Sequence, residues 1–172
     1  MMESGLEEAS EIEAHVLALR RFALALTRDR DLADDLVQDT IERALSRWRL
    51  RRRDLPLRPW LFAILRNLHV SAWRRRVRSP FVAGDRLDEI AAVSDAVETR
   101  IELRQVLEML ENLPEDQRMA ILLVAVEGLP YAQAAAVMDV PVGTVMSRLG
   151  RARARLREMA GAGTTAKLRR VV

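Results

Sequence analysis

The sequence contains no cysteine and only two histidines, His15 and His69, among its 172 residues. Without thiolates or clustered imidazoles, it has neither a disulfide framework nor the usual ligands of a zinc site. Neither histidine has an evident catalytic partner, and the sequence has no glycine-rich loop that could cradle phosphates. We therefore expect no bound metal, no cofactor and no catalytic activity of this chain alone.

Aromatic residues are also scarce, at 4% of the chain, and there are only seven glycines. Alanine, leucine, arginine and glutamate dominate instead, a composition that favours helices over sheets. No apolar run reaches the length of a membrane span, and the first residues are acidic where a signal peptide would be basic. We expect an all-α protein that does not insert into a membrane and is located in the cytoplasm.

Charge is abundant but unevenly distributed, although the net charge is only +3. Residues 142–172 contain eight Lys or Arg and one acid, whereas residues 81–117 contain ten acids and three arginines. A basic face attracts phosphate, while an acidic face attracts basic proteins and repels nucleic acid. The chain therefore has separate surfaces that suit separate partners.

Helical periodicity is lost over residues 79–94, which we interpret as a flexible linker between two small helical domains. The first domain, residues 1–78, is predicted to hold three helices. The second domain, residues 95–160, is predicted to hold four, and a frayed basic tail follows over residues 161–172.

The three helices of the first domain are predicted over residues 11–27, 31–49 and 60–76, where apolar residues recur at helical spacing. Asp31 is the predicted N-cap of the second helix, and residues 50–59 form a basic loop with two prolines. The predicted inward-facing residues are Ile12, Val16, Leu19, Ala23 and Leu26 in the first helix, Leu32, Leu36, Val37, Ala44 and Trp48 in the second, and Leu61, Ile64, Leu65, Leu68 and Ala72 in the third.

Two polar faces are predicted on these helices. The second helix begins with acidic residues and ends with basic ones. This order complements the helix dipole, or the acidic residues form a protein-binding face. The third helix ends in an arginine run that suits phosphate contact as well as the dipole, and Trp73 beside it could stack on bases or belong to the core. Base-edge hydrogen bonds could come from Asn67 and Ser71. The acidic face consists of Asp34, Asp35, Gln38 and Asp39.

The helices of the second domain are predicted over residues 95–110, 114–127 and 130–138, and from residue 142 onward. Gly128 is the predicted C-cap of the second of these. The short alanine-rich helix, the four-residue turn and the basic helix that follows it together predict a helix-turn-helix. The inward side of the last helix is predicted to carry Val142, Val145, Leu149, Ala152 and Leu156.

The outward side of this last helix carries hydroxyl and guanidinium groups at spacings of three and four residues. Such a face is typical of a recognition helix in a DNA major groove, although a solvated basic face gives the same pattern. The candidate DNA-binding residues are Thr144, Ser147, Arg148, Arg151 and Arg155.

Three blocks of the sequence resemble motifs of the extracytoplasmic-function (ECF, group IV) sigma factors of the bacterial sigma-70 family, in the family's order and at its spacing. They are RRFALALTRDRDLADDLVQDTIERAL, RPWLFAILRNLHVSAWRRR and LPEDQRMAILLVAVEGLPYAQAAAVMDVPVGTVMSRLGRARARL. The resemblance covers nearly all of residues 11–158. It implies a region 2 domain and a region 4 domain that recruit RNA polymerase core to promoters and help to open the duplex.

The resemblance also implies roles for residues at matching positions. The acidic face of the second helix would dock on the β′ clamp of the polymerase, region 4 would meet the β flap, and an anti-sigma factor would hold the protein inactive. The recognition helix would read the minus-thirty-five element. The minus-ten element would be bound and melted by Arg51, Arg52, Arg53, Asn67, Ser71, Arg74 and Arg75.

The sequence departs from the family pattern at two places. Met146 stands where members commonly carry lysine, so we expect a broader apolar stripe and one phosphate contact fewer. The arginines at 51–53 make the promoter-opening loop unusually basic, so its base preference is not carried over.

The alternative functions are a stand-alone helix-turn-helix regulator, which binds duplex DNA unaided, and an interaction module whose basic surfaces meet only an acidic inhibitor.

Overall fold

A computed structural model describes the backbone of residues 2–51, 56–78 and 108–168, and the side chains of residues 7–51, 56–72, 74 and 108–161. No residue within these ranges lies in a β-strand, in agreement with the all-α prediction. The chain divides into two compact units. The predicted linker, residues 79–94, and the predicted helix over 95–110, apart from 108–110, lie outside the described residues, as do residues 169–172 of the predicted tail.

The first unit contains the three predicted helices. They are α1 over Met2–Thr27, α2 over Arg30–Ser46 and α3 over Leu57–Arg78, with a short 3-10 helix over Trp48–Leu50. Both α1 and α3 begin earlier than the apolar periodicity predicts. In α3 the added residues include Pro59, which the first turn of a helix tolerates because its missing N–H would have no partner there.

Only two residues, Arg28 and Asp29, connect α1 to α2. Arg28 adopts a left-handed conformation with φ 60°, and its backbone N–H donates to the Leu24 carbonyl at 2.8 Å. Asp29 then caps α2, since its Oδ1 accepts from the backbone N–H of Leu32 at 3.0 Å. The prediction of Asp31 as the N-cap is wrong. Asp31 lies in the first turn of α2, and Asp29 has the extended backbone that an N-cap requires.

The core of the first unit centres on Phe22 and Phe62, whose rings meet edge to face with centroids 5.0 Å apart. Both side chains are fully buried, but neither belongs to the predicted inward-facing set. Helix α1 packs against both α2 and α3, so its buried stripe is wider than a single contact face. Most of the predicted set is buried, while Val16, Leu32, Leu68 and Ala72 are only half-buried.

In the second unit, the helix predicted over residues 114–127 changes its pitch. It is an α-helix, α4, over Glu115–Ile121 and a π-helix over Leu122–Val126. The backbone N–H of Glu127 donates to Leu122 at 2.9 Å, five residues back, as a π-turn requires. Gly128 follows with φ 67°, and the N–H of Leu129 reaches back to the Leu123 carbonyl at 2.9 Å. The C-cap itself is therefore Glu127, and the predicted role of Gly128 in ending the helix is met one position later, at the left-handed residue that follows the cap.

The helix-turn-helix prediction is also confirmed. Helix α5 spans Tyr131–Met138 and helix α6 spans Val142–Leu168. The turn between them uses Asp139 at φ 53°, and the N–H of Val140 donates to the Ala135 carbonyl at 3.1 Å. This pattern closes the C-terminus of α5 with a left-handed residue, for which an aspartate side chain is tolerated where most others are not.

Helix α6 packs against α4 and buries Val145, Leu149 and Ala152, as predicted. Val142 is 40% exposed, so its prediction as an inward-facing residue is wrong. It is the first residue of α6 and lies at the end of the apolar stripe. The helix also continues to Leu168, beyond residue 161 where a frayed tail is predicted, although residues 161–168 include two glycines and two threonines, which have low helix propensity.

Candidate nucleic-acid and partner interfaces

The outward side of α6 presents most of the predicted DNA-binding residues. Ser147, Arg151 and Arg155 are exposed, and Thr144 is half-buried. The Ser147 hydroxyl donates to the Thr144 carbonyl at 2.9 Å, and Arg151 Nη2 donates to Ser147 Oγ at 3.4 Å. One hydrogen bond holds the serine against the helix backbone while the second holds the guanidinium beside it. The two side chains therefore form one polar group with donors left for a ligand.

Arg148 is placed differently from its neighbours. Its Nε lies 3.0 Å from Oδ2 of Asp116 in the first turn of α4, and only 22% of its side chain is exposed. The pair links α4 to α6 within the second unit. Sequence reasoning missed Asp116 because thirty-two positions separate the two residues and only the packing of the helices brings them together.

Met146 is 54% exposed, so it does not join the buried stripe of α6. The expectation of a broader stripe is wrong. Met146 follows the fully buried Val145, and successive residues on an α-helix are about 100° apart, so it points away from the packed side.

The acidic face of α2 is exposed at three of its four predicted residues, Asp35, Gln38 and Asp39. Gln38 Nε2 donates to Oε1 of Glu42 at 3.1 Å, which extends the polar face by one turn. Asp34 is half-buried and forms an ion pair with Arg20 of α1, with Nη2 2.6 Å from Oδ2. Asp34 therefore links two helices, whereas the other three residues are presented to solvent.

Helix α3 presents Asn67, Ser71 and Arg74 to solvent at positions i, i+4 and i+7, which places them on one side of the helix. Asn67 Oδ1 accepts from Arg66 Nη1 at 3.1 Å. Arg52 and Arg53 lie outside the described residues, and so does the side chain of Arg75.

Arg51, predicted to contact DNA from the basic loop, packs against its own domain. Its guanidinium carbon lies 4.9 Å from the centre of the Trp48 ring, and its Nη2 lies 3.9 Å from Oε2 of Glu11. Trp48 is buried and meets Trp60 edge to face, with centroids 6.2 Å apart. Contact between Arg51 and DNA would therefore require the guanidinium to leave this aromatic surface.

Neither histidine belongs to a candidate site. His15 is half-buried in the first unit, where burial and, to a lesser degree, the charge of Arg58 lower its pKa. Among the described side chains, no group of three histidines or acids is arranged to hold a metal ion. The helices of the described ranges also include none whose length and apolarity would let it cross a bilayer.

Comparison with known proteins connects these surfaces to a family. A family model described as "Sigma-70, region 4" matches residues 103–156, and one described as "Sigma2 domain of PhyR" matches residues 12–66. The chain is 39% identical over 146 residues to the ECF RNA polymerase sigma factor EcfG of Rhodopseudomonas palustris (strain TIE-1), covering 85% of this chain and 81% of that protein. The chain belongs to the ECF RNA polymerase sigma factors.

Three further relatives support this assignment. The sigma factor SigM of Bacillus subtilis (strain 168) is 29% identical over 147 residues, which cover 83% of this chain and 88% of SigM. The sigma factor RpoE of Bartonella quintana, solved in complex with the anti-sigma factor NepR, is 35% identical, with a TM-score of 0.77 over 88% of this chain and 95% of RpoE. CnrH, solved in complex with the cytosolic domain of CnrY, is 28% identical, with a TM-score of 0.69 over 92% of this chain and 95% of CnrH.

The two matched regions cover different helices of this sigma factor. The region 2 match includes most of α1, all of α2 and the first half of α3, which carry the acidic face. The region 4 match includes α4, α5 and the first half of α6, which carry the helix-turn-helix. The acidic face of α2 and the outward face of α6 therefore lie within the matched regions, whereas Asn67, Ser71 and Arg74 lie just beyond the region 2 match.

Proposed function

We propose that this sigma factor binds RNA polymerase core through the exposed face of α2 formed by Asp35, Gln38 and Asp39. This face carries two carboxylates and one amide without an apolar residue between them, and none of the three is used to hold α1 to α2. Such a face suits a basic surface on a protein and repels DNA. Asp34 supports the same face by fixing α2 against α1 through Arg20.

The promoter is bound by two anchors in this proposal. Asn67, Ser71 and Arg74 on α3, with Arg75 and the loop arginines 51–53, hold the minus-ten element. The amide, hydroxyl and guanidinium groups of Asn67, Ser71 and Arg74 supply base-edge hydrogen bonds and phosphate contacts from one side of α3. Arg51 joins them in this proposal by leaving the Trp48 ring. Holding unpaired bases in this way offsets part of the cost of opening the duplex.

The second anchor is α6, which enters the major groove of the minus-thirty-five element. The exposed pair Ser147 and Arg151 carries this assignment, because it presents a hydroxyl and a guanidinium that are already held together. Thr144 and Arg155 complete the contact. Arg148, held toward α4 by its ion pair with Asp116, lies beside this face and positions α6 instead of reading a base. Region 4 also meets the β flap of the polymerase, so the polymerase sets the distance between the two anchors.

An anti-sigma factor is the proposed regulator of this protein. RpoE and CnrH, which share its fold across most of both chains, were each solved with a regulatory partner, NepR and the cytosolic domain of CnrY. The protein acts in the cytoplasm, where the polymerase and the chromosome are, and has no catalytic activity of its own.

The test is reconstituted transcription with the purified full chain, core polymerase from its host and genomic promoter fragments. We expect transcripts with defined start sites that core polymerase alone does not produce. If the chain gives no such transcripts but binds a palindromic site by itself, it is a stand-alone regulator instead.

The docking face is tested with Asp35→Asn combined with Gln38→Ala. Both side chains are exposed, so we expect weaker binding to core polymerase with an unchanged melting temperature. Glu13→Gln on the exposed side of α1 is the matched control and should bind normally. A lowered melting temperature in the double variant would show that the face is structural.

A further inference from the structure

The outward face of the recognition helix has an unusual composition. Gly143, Met146, Ser147, Gly150 and Arg151 follow one another at i, i+3, i+4, i+7 and i+8, so they share one side of α6. All five are exposed. Met146 is the one long apolar side chain among them.

The two glycines leave space on either side of this methionine. Apart from its chain neighbours and the backbone of its own helix, a Cβ atom built on Gly143 or Gly150 would meet no atom within 4 Å, so no side chain from elsewhere fills these positions. Without a side chain at either glycine, the helix backbone can approach a flat surface closely. A surface that approaches this face would therefore meet Met146 and Ser147 first, with Arg151 one turn further along.

The side chain of Arg148 does not occupy the space around Met146. Its ion pair with Asp116 holds the guanidinium toward α4, and most of its side chain is covered. The base-reading face is thus narrow and partly apolar. Of the four base pairs, those with thymine present an apolar C5-methyl group in the major groove, which is where an exposed thioether finds a matching contact.

We infer that Met146 reads the C5-methyl group of a thymine in the minus-thirty-five element, with Ser147 and Arg151 contacting the polar edges of adjacent bases. Val142 lies one turn before Met146 and is 40% exposed, so it extends the apolar contact toward the start of the helix. The inference rests on the proposed role of α6 at that element and adds which base feature is read there.

The experiment removes only the methyl group. Holoenzyme, formed from the full chain and core polymerase, is bound to a promoter fragment in which each thymine of the minus-thirty-five element is replaced in turn by deoxyuridine. Burying one methyl group changes an affinity by about fourfold. We expect about this loss for the wild-type protein at one thymine, and no loss at that position for Met146→Gln.

Met159→Gln is the matched control, because it makes the same change on α6 more than three turns away from this face. It should keep the wild-type sensitivity to deoxyuridine. If Met146→Gln keeps the sensitivity as well, another residue reads the methyl group and the inference is wrong. If the wild-type protein binds the promoter specifically but ignores every deoxyuridine substitution, the inference is also wrong.

Failure of the proposed function gives a different result. If holoenzyme bound the promoter fragment and a scrambled fragment equally well, the proposed role of α6 would be wrong, and so would the methyl contact. Specific binding with unchanged deoxyuridine affinities would remove only the methyl contact.

Discussion

The ion pair between Asp116 and Arg148 predicts an energetic coupling between the first turn of α4 and the recognition helix. Arg148 Nε lies 3.0 Å from Asp116 Oδ2, and the side chains are 22% and 48% exposed. Exposed ion pairs contribute about 0.2–1 kcal/mol, and the more covered position of Arg148 places this pair near the upper end. We therefore expect a coupling of about 1 kcal/mol.

The perturbation is a double-mutant cycle of Asp116→Asn, Arg148→Ala and both together. Each single variant should lower the free energy of unfolding by about 1 kcal/mol, with a further loss in Arg148→Ala because most of the arginine side chain is covered. The double variant should lose less than the sum of the two. Urea denaturation followed by far-UV circular dichroism measures these differences.

Tryptophan fluorescence provides an internal control for this cycle. All three tryptophans lie in the first 78 residues, so their signal reports the unfolding of the first unit and its midpoint should not move. A coupling below about 0.3 kcal/mol would refute the assignment of Arg148 as a residue held by Asp116. A changed base preference of Arg148→Ala without a loss of stability would make it a direct base reader instead.

Two further predictions concern a glycine and a histidine. Gly128→Ala should destabilise the second unit by about 1 kcal/mol, because Gly128 has φ 67°. Gly150→Ala, in open space within α6, should instead stabilise the second unit by up to about 1 kcal/mol in the same denaturation assay. If the two alanine variants changed the free energy of unfolding equally, the role given to the backbone conformation of Gly128 would be wrong. The lowered pKa of His15 means that the unfolded chain binds protons more readily. Stability of the first unit, followed by tryptophan fluorescence, should therefore fall as the pH drops below 6.5, and His15→Gln should remove this dependence.

The helices and the helix-turn-helix could be predicted because their signals are local. Apolar residues at helical spacing identify the buried faces of α1, α2 and α3, and Gly128 ends its helix through its own backbone conformation. Predictions at the ends of elements were less accurate. Asp31 is the cap that the sequence predicts, whereas the extended backbone conformation of Asp29 makes Asp29 the cap.

Some predicted polar residues are exposed and others are paired within the fold, because their side-chain partners come from distant parts of the chain. Arg51 lies over Trp48, Asp34 pairs with Arg20, and Arg148 pairs with Asp116. Helical spacing correctly places Ser147 and Arg151 on an exposed side, but it cannot show that Arg148 is drawn toward another helix. Met146 is the converse case, an apolar residue that packing leaves exposed.

The sequence by itself determined the helical class, the order of the helices and the separation of acidic from basic faces, because helix periodicity and charge are properties of neighbouring residues. Tertiary structure alone decided which charged groups are presented to a partner and which hold helices together. The reason is physical: an ion pair depends on a distance of a few ångströms in space, and helix packing sets that distance independently of separation along the chain.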